Sequence, residues 1–562
     1  MNIMTEDHHI ATQKLARVPE LLAIICTFLE PTERKKIASV SRGWFLAATP
    51  VIWKEITGVH HLLALVPGVV IKSTGMNTIM IRLPPVLDFT RFDIYAPLVK
   101  SLDLYGDSKH SYEFDWKSLE QRRNSLLPHL SSLTMRSSRG SRGYGDQLMW
   151  TILLASSSLR EIRFEPSGKN WQYPPTVTPV VASLLLHELA SQCPDLQVLS
   201  IFPEPASVGT GVQSERVLET FLALSKPPFY HCLSQLPQLC ELACNEQILK
   251  GDVLPIVASL PLLAHLQISA SAIDIDLDDI PLPDNAFPSL RRLSLYLALN
   301  GGAVDLWEIT ALRQLTSLHI EFRDQHKDDL DDPDSWALNL LSTIAENNPN
   351  LQHLYINFSL CDSCEDEPCN LGNIELLEGL SMLPLKTVTL KSAWFGPYDP
   401  DVYGYITDAL PEVIELRMPA QPASVQELAK FAQLPSLQHL VLDLDLTSGP
   451  EWDLPPAGPV GLALHTLETE GSCILLGDLV SLAKSLLLLW PNLQRVVCPD
   501  DGIPSGTKLI RSTLMESLNS SIMMVREASK LKKLIAKKYG LAEAALFNAL
   551  PTVDYIPFDS AE

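Results

Sequence analysis

Apolar residues in the middle of the chain keep returning in one spacing. FPSLRRLSL (287–295), NPNLQHLYI (348–356), LPSLQHLVL (434–442) and WPNLQRVVC (490–498) all read P-x-L-x-x-L-x-apolar. With the proline as register mark, the pattern recurs at Pro97, Pro128, Pro194, Pro237, Pro261, Pro288, Pro349, Pro411, Pro435 and Pro491. Looser copies lack the proline, at Ser157, Arg313 and Leu462, and LPLKTVTL around Pro384 is shifted by one. Marks from Pro237 to Arg313 fall 24, 27 and 25 residues apart, though 43 separate Pro194 from Pro237. A period of this size predicts stacked repeats. In each copy the last two apolar residues alternate, so both point inward from a short strand. The proline sets the chain extended just ahead of it, where a missing N–H costs little. Upstream of NPNLQHLYI, Leu338, Leu341, Ile344 and Ala345 fall at helical spacing. Each unit is then helix, turn and strand, and must stack on neighbours to bury its apolar face.

The two ends show a different period. Pro19 begins a predicted helix with Glu20 in its first turn and Leu21, Leu22, Ile25 and Leu29 on one face. After Pro31, Ile37, Val40 and Trp44 form a second face. Thr49 and Pro50 read as N-cap and first residue of a third helix carrying Trp53. Three short helices with two tryptophans cannot enclose a full core, so a covering partner is expected. Near the C-terminus, Ser512 to Leu550 predicts a helix with Leu514, Leu518, Ile522, Val525, Ala528, Leu531 and Ile535 on one face. Lys530, Lys532, Lys533, Lys537 and Lys538 surround that face. A cap over the last repeat is the preferred reading, a basic amphipathic docking helix the other.

Composition narrows the function. The chain has 562 residues and a formal charge of −23, which argues against a general nucleic-acid binder. MNIMTEDHH lacks the basic and apolar regions of a secretory signal, and no apolar run is long enough to span a bilayer. Ten sparse cysteines fit reduced intracellular thiols. The expected location is the cytoplasm, the nucleus or both, with no membrane partner.

Candidate chemistry is thin. Cys361, Cys364 and Cys369 contain C-x-x-C without a visible fourth zinc ligand. Asp274, Asp276 and Asp278 open like a calcium loop but lack its glycine and closing glutamate. The acidic run 324–334 reads as solvated loop. GIPSGTK (502–508) has its glycines too close for a phosphate loop and Leu509 where magnesium binding needs Ser or Thr, so it reads as a turn. No catalytic residue, cofactor or metal ligand is expected.

The repeats resemble the leucine-rich-repeat family over roughly residues 90–500, without the Asn or Cys that usually follows L-x-x-L-x-L. No regular asparagine ladder is expected. Residues 17–56 resemble the F-box: VPELL (18–22), Ile25, Leu29, VSRGW (40–44) and Ile52-Trp53 fall on its pattern. Glu33 and Arg34 depart from it, standing where the family has Asp-Leu. These resemblances imply an α/β leucine-rich-repeat solenoid with an N-terminal three-helix F-box module. The expected domains are the helical module at 14–58, a linker or first atypical repeat at 59–90, the solenoid at 91–500, and a helical cap and tail at 501–562. The irregular repeats further resemble fungal F-box proteins.

By resemblance, an F-box docks a Skp-type adaptor, and through it a cullin complex, while the repeats present a protein substrate. Val18, Pro19, Leu21, Leu22, Ile25, Leu29, Val40, Trp44 and Trp53 would then meet the adaptor. Strand alternation places Arg292, Tyr296, His319, Glu321, His353, Tyr355, His439 and Asp443, with Ser294, Ser317, Asn357 and Val441, on the inner wall as substrate contacts. The function implied is substrate recognition for an SCF-type ubiquitin ligase, acting by proximity. Two other classes stay open: a non-ligase interaction scaffold on the same repeats, and an enzyme hidden in the scaffold, which would show a deep pocket of titratable groups.

Overall fold

In the computed structural model of the chain, each register mark sets a strand four residues later. Pro97, Pro128, Ser157, Pro194, Pro237, Pro261 and Pro288 precede strands Ser101–Asp103, Ser132–Ser137, Glu161–Pro166, Val198–Ser200, Glu241–Asn245, His265–Ala270 and Arg292–Ala298. The same offset leads from Arg313, Pro349, Pro411, Pro435, Leu462 and Pro491 to Ser317–Arg323, His353–Asn357, Glu415–Ser424, His439–Asp445, Thr466–Thr469 and Arg495–Val497. The shifted copy at Pro384 precedes Thr387–Lys391 by three. The structure describes residues 18–73, 78–105, 111–114, 125–137, 144–166, 176–177, 179–203, 229–249, 253–270, 282–298, 312, 314–323, 341–358, 369–370, 374–396, 401–446, 461–469, 479–498 and 505–539. Asp274, Asp276, Asp278, the run 324–334, Leu338, Cys361 and Cys364 lie outside these.

The chain divides into two compact units, Met1–Leu312 and Arg313–Glu562. The first carries a parallel sheet that begins at Glu55–Thr57, pairs it with Ser101–Asp103, and continues strand by strand to Arg292–Ala298. The second carries a parallel sheet from Ser317–Arg323 to Arg495–Val497. Helices Tyr144–Leu154, Pro179–Gln192, Phe229–Leu233 and Leu254–Ala258 link strands in the first unit. Ile374–Ser381, Val402–Ala409, Val425–Phe431 and Leu479–Leu489 do so in the second, as does helical 341–347, where Leu341, Ile344 and Ala345 are buried. These are α/β repeat arrays of leucine-rich-repeat character.

Two devices recur along the repeats. The residue two after the mark is buried, from Val99 and Leu130 to Leu464 and Leu493, except in the shifted copy, where Leu385 directly after Pro384 takes that place. The second strand residue is buried throughout, from Leu102 to Val496. Along most of both arrays the carbonyl just before a strand accepts two amides of the next repeat. Lys100 O takes Ser131 N and Ser132 N, Ser131 O takes Arg160 N and Glu161 N, and Ile414 O takes Gln438 N and His439 N. An asparagine ladder is replaced by scattered polar rungs. Ser158, Ser289 and Asn492 side chains donate to the mark carbonyls of Pro128, Pro261 and Leu462, at 2.9, 2.7 and 2.7 Å.

The N-terminal helices are α1 (Pro19–Phe28), α2 (Pro31–Ala38) and α3 (Arg42–Lys54). Two expectations fail here. Thr49 and Pro50 start no helix, because α3 is capped at Ser41, whose hydroxyl accepts Trp44 N at 3.3 Å, and runs through Pro50. Thr49 Oγ1 donates to the Phe45 carbonyl at 2.6 Å, and the proline ring stays at the exposed surface. Val40 is not on a helical face with Ile37 and Trp44; it sits in the turn between α2 and α3, 69% exposed. Glu33 and Arg34 gain a structural role: Glu33 accepts Glu30 N in a capping box, and Arg34 Nη2 donates to Thr27 O at 3.2 Å, tying α2 to α1.

The C-terminal helix α4 (Ser505–Tyr539) corrects two further readings. Ser505 to Lys508 of GIPSGTK are helical rather than a turn. The apolar face is not continuous either. Met515, Leu518 and Ile522 are buried, whereas Leu531 is exposed. Asn519 caps the final strand as another strand would, its Oδ1 accepting Val496 N and its Nδ2 donating to Val496 O, at 2.8 and 2.9 Å.

Candidate protein-interaction site

Two surfaces stand out: the outer side of α1 and the outward rows of the two sheets. In α1, Leu22 and Cys26 point inward, and α1 and α2 both pack on α3. That leaves Val18, Leu21, Ile24 and Phe28, spaced by three or four residues, as an exposed apolar stripe, with Phe28 84% exposed. Phe45 and Leu46 of α3 are exposed as well. Burying such a stripe on one small helix would remove apolar area at about 25 cal/mol per Å². Of the residues expected to meet an adaptor, Leu22 is core. Ile25, Leu29, Trp44 and Trp53 are half-buried, and Val18, Pro19, Leu21 and Val40 are exposed. Trp53 packs against Tyr95 at 4.8 Å between ring centres. Ile24 and Phe28 were not among the expected contacts.

The outward rows hold fewer loose groups than alternation alone implied. Arg292 and His353 are exposed, but Tyr296 is 8% exposed and Ser294 and Val441 are buried. His319 stacks on Tyr355 with ring centres 4.0 Å apart and planes 2° from parallel, while its Nε2 lies 3.0 Å from Glu321 Oε1. His353 Nδ1 is 2.9 Å from Thr387 Oγ1. Asp443 is half-buried.

The residues that organise these rows went unread in the sequence. In the first unit Arg136 Nη1 meets Asp103 Oδ2 at 3.0 Å and its Nε meets Glu165 at 3.4 Å. Glu161-Ile-Arg163 sends Arg163 two strands across to Glu241 Oε1 at 2.7 Å, with His265 Nδ1 3.9 Å from the other oxygen. The second unit repeats the device. Glu415-Leu-Arg417 sends Arg417 two strands across to Glu468 at 3.5 Å, and His439 bridges Glu468 at 2.9 Å and Glu415 at 3.5 Å. An E-x-R pair at outward strand positions was the available signal. Hydrogen bonding from His265, joined by the Arg163 guanidinium at 2.7 Å, holds the Glu241 carboxyl down to about 2 against its partial burial.

Among the described residues no cluster of His, Cys, Asp and Glu could hold a metal, and no helix is long and apolar enough to cross a membrane.

No family profile matches the sequence, and no curated protein matches it. Solved structures align with it at low overlap. An internalin from Listeria monocytogenes is 14% identical over 65% of this chain and 80% of its own, with a TM-score of 0.28. The repeat ectodomain of the plant receptor kinase GASSHO1/SCHENGEN3 from Arabidopsis thaliana is 13% identical over 76% of this chain and 48% of its own, also at 0.28. Overlaps this low do not bear on function.

Proposed function

We propose that the chain is the substrate-recognition subunit of an SCF-type ubiquitin ligase. In this reading the N-terminal helices dock a Skp-type adaptor, and through it a cullin complex, while the repeats hold a protein substrate. The observation that carries the reading is the α1 stripe: a helix already packed on its own fold that still offers Val18, Leu21, Ile24 and Phe28 to solvent. It supports the F-box resemblance of residues 17–56 by supplying the apolar face that an adaptor would cover. The adaptor contacts are then Val18, Leu21, Ile24, Phe28, Phe45 and Leu46, with Pro19 starting α1, while Leu22 serves the module's own core. The chain contributes no catalytic group or cofactor and works in the cytoplasm or nucleus by holding its target near a charged enzyme.

One observation favours a non-ligase scaffold instead. α3 runs straight into the first strand, and Lys54 O accepts Lys100 N at 2.9 Å, so these helices also cap the array. The two roles use different sides: α3 buries Ala47, Ala48 and Thr49, and the α1 stripe stays open. The test is co-purification of the full chain with a Skp-type adaptor, wild type against Leu21→Asp/Phe28→Asp. Both positions are exposed, so the variant keeps its fold. Binding lost only in the variant supports the ligase reading. A wild-type chain that leaves the adaptor behind makes the scaffold the better reading.

A further inference from the structure

The distal half of α4 adds no buried side chain to the cap among the described residues. Beyond Ile522 no described side chain of this helix is buried. Met524, Leu531 and Leu534 are exposed, and Ile535 is half-buried. At roughly 100° per residue, this strip lies about half a turn around the helix from Met515, Leu518 and Ile522, which close the array. The positions that continue the capping side past Ile522 are Val525, Arg526, Ser529 and Lys533. Arg526 uses its guanidinium to donate to Leu493 O at 3.3 Å. The distal strip is therefore a second face.

Its charge says what would cover it. Arg526–Tyr539 carries six basic residues against Glu527 alone, in a chain of net charge −23. Lys530 and Lys537 border the strip on one side and Lys532 on the other, with Lys530 paired to Glu527 at 2.7 Å on the surface. We propose that this segment docks an acidic amphipathic helix of a partner protein, whose apolar seam lies on Met524, Leu531, Leu534 and Ile535 between flanking carboxylates. The 4-3-4 spacing of Met524, Ala528, Leu531 and Ile535 is that of a two-helix seam. A second copy fits badly, because lysines would border lysines. A bilayer fits less well: the strip is narrow, contains Glu527 and Lys538, and Arg526–Tyr539 has no Trp or Phe. Lying flat would also bring an acidic body against an anionic surface.

The test uses the full chain and a labelled four-heptad peptide with leucine and isoleucine on its seam and glutamate on its flanks, read by fluorescence anisotropy. Wild-type protein is expected to bind, and to weaken about tenfold between about 50 and 300 mM NaCl. Leu531→Asp/Leu534→Asp is expected to lose more than about tenfold in affinity with an unchanged melting temperature, since both positions are exposed. A scrambled peptide of the same composition should bind weakly. The proposal is overturned if the wild type ignores the peptide, binds the scrambled one equally, or binds it as well after the double change. It is equally overturned if the wild type pellets with phosphatidylserine vesicles but not with the peptide.

Discussion

Glu241 gives the sharpest test of how the first unit is held together. Its carboxylate lies on the second strand from Arg163, 2.7 Å from the guanidinium, and is held at about 2 instead of 4.5. At 1.36 kcal/mol per pH unit this drop corresponds to about 3 kcal/mol favouring the ionised form. The side chain is 27% exposed, so solvent screening reduces the effect to about 1–2 kcal/mol. A depressed carboxylate stabilises the fold above the unfolded value near 4.5, and this contribution disappears as pH falls towards 2. Glu241→Gln should therefore melt about 3–6 °C below wild type at pH 7. The gap should shrink from about pH 5 downward and close near pH 2. Differential scanning calorimetry across that range reads it directly. A gap that stays constant with pH would mean the residue acts by packing, and no gap at pH 7 would sink the argument for cross-strand Arg bridges.

Other consequences are local. Leu22→Ala should cost about 2–4 kcal/mol in urea unfolding, while Ile24→Asp, two residues on and exposed, should cost almost nothing. At Gly461 a Cβ would come within 2.7 Å of the buried Trp490 ring and 3.0 Å of the Ala432 carbonyl. Gly461→Ala should thus destabilise the second unit by about 1–3 kcal/mol, measured by thermal melting. Asn519→Ala should free the Val496 amide and raise its hydrogen-exchange rate before that of neighbouring strands. Burial raises the Cys193 thiol to about 11 and pushes Cys244 higher still, so both should resist thiol reagents at pH 8 until the protein unfolds.

The strands were legible because each carries its own local signature. Mark, buried leucine and alternating pair sit within eight residues, and tertiary context has little left to decide. α1 was harder for the opposite reason. Leu21, Leu22, Ile24, Ile25, Phe28 and Leu29 place apolar groups on nearly every side, so periodicity cannot choose the face that turns inward. Packing on α3 chooses Leu22 and Cys26. Pro50 misled because a proline usually opens or breaks a helix, while here α3 gives up one internal hydrogen bond and continues. The wall histidines were visible as residue types, but most of their partners belong to other strands, Tyr355 for His319, Thr387 for His353 and Glu468 for His439. Alternation says which residues face outward and is silent on what they meet across the sheet.

The paired acceptance at most pre-strand carbonyls fixes neighbouring repeats at a single point of the chain. Whatever length of chain lies between two such points, the next strand arrives in the same register. Pro194 and Pro237 stand 43 residues apart, yet Gln197 O still takes Cys240 N and Glu241 N as its shorter-spaced counterparts do. Insertions can therefore accumulate on the connecting side while the strand wall keeps its geometry. Such a chain can lengthen and diversify its loops in evolution, and alter what it displays there, without rebuilding the frame that displays it.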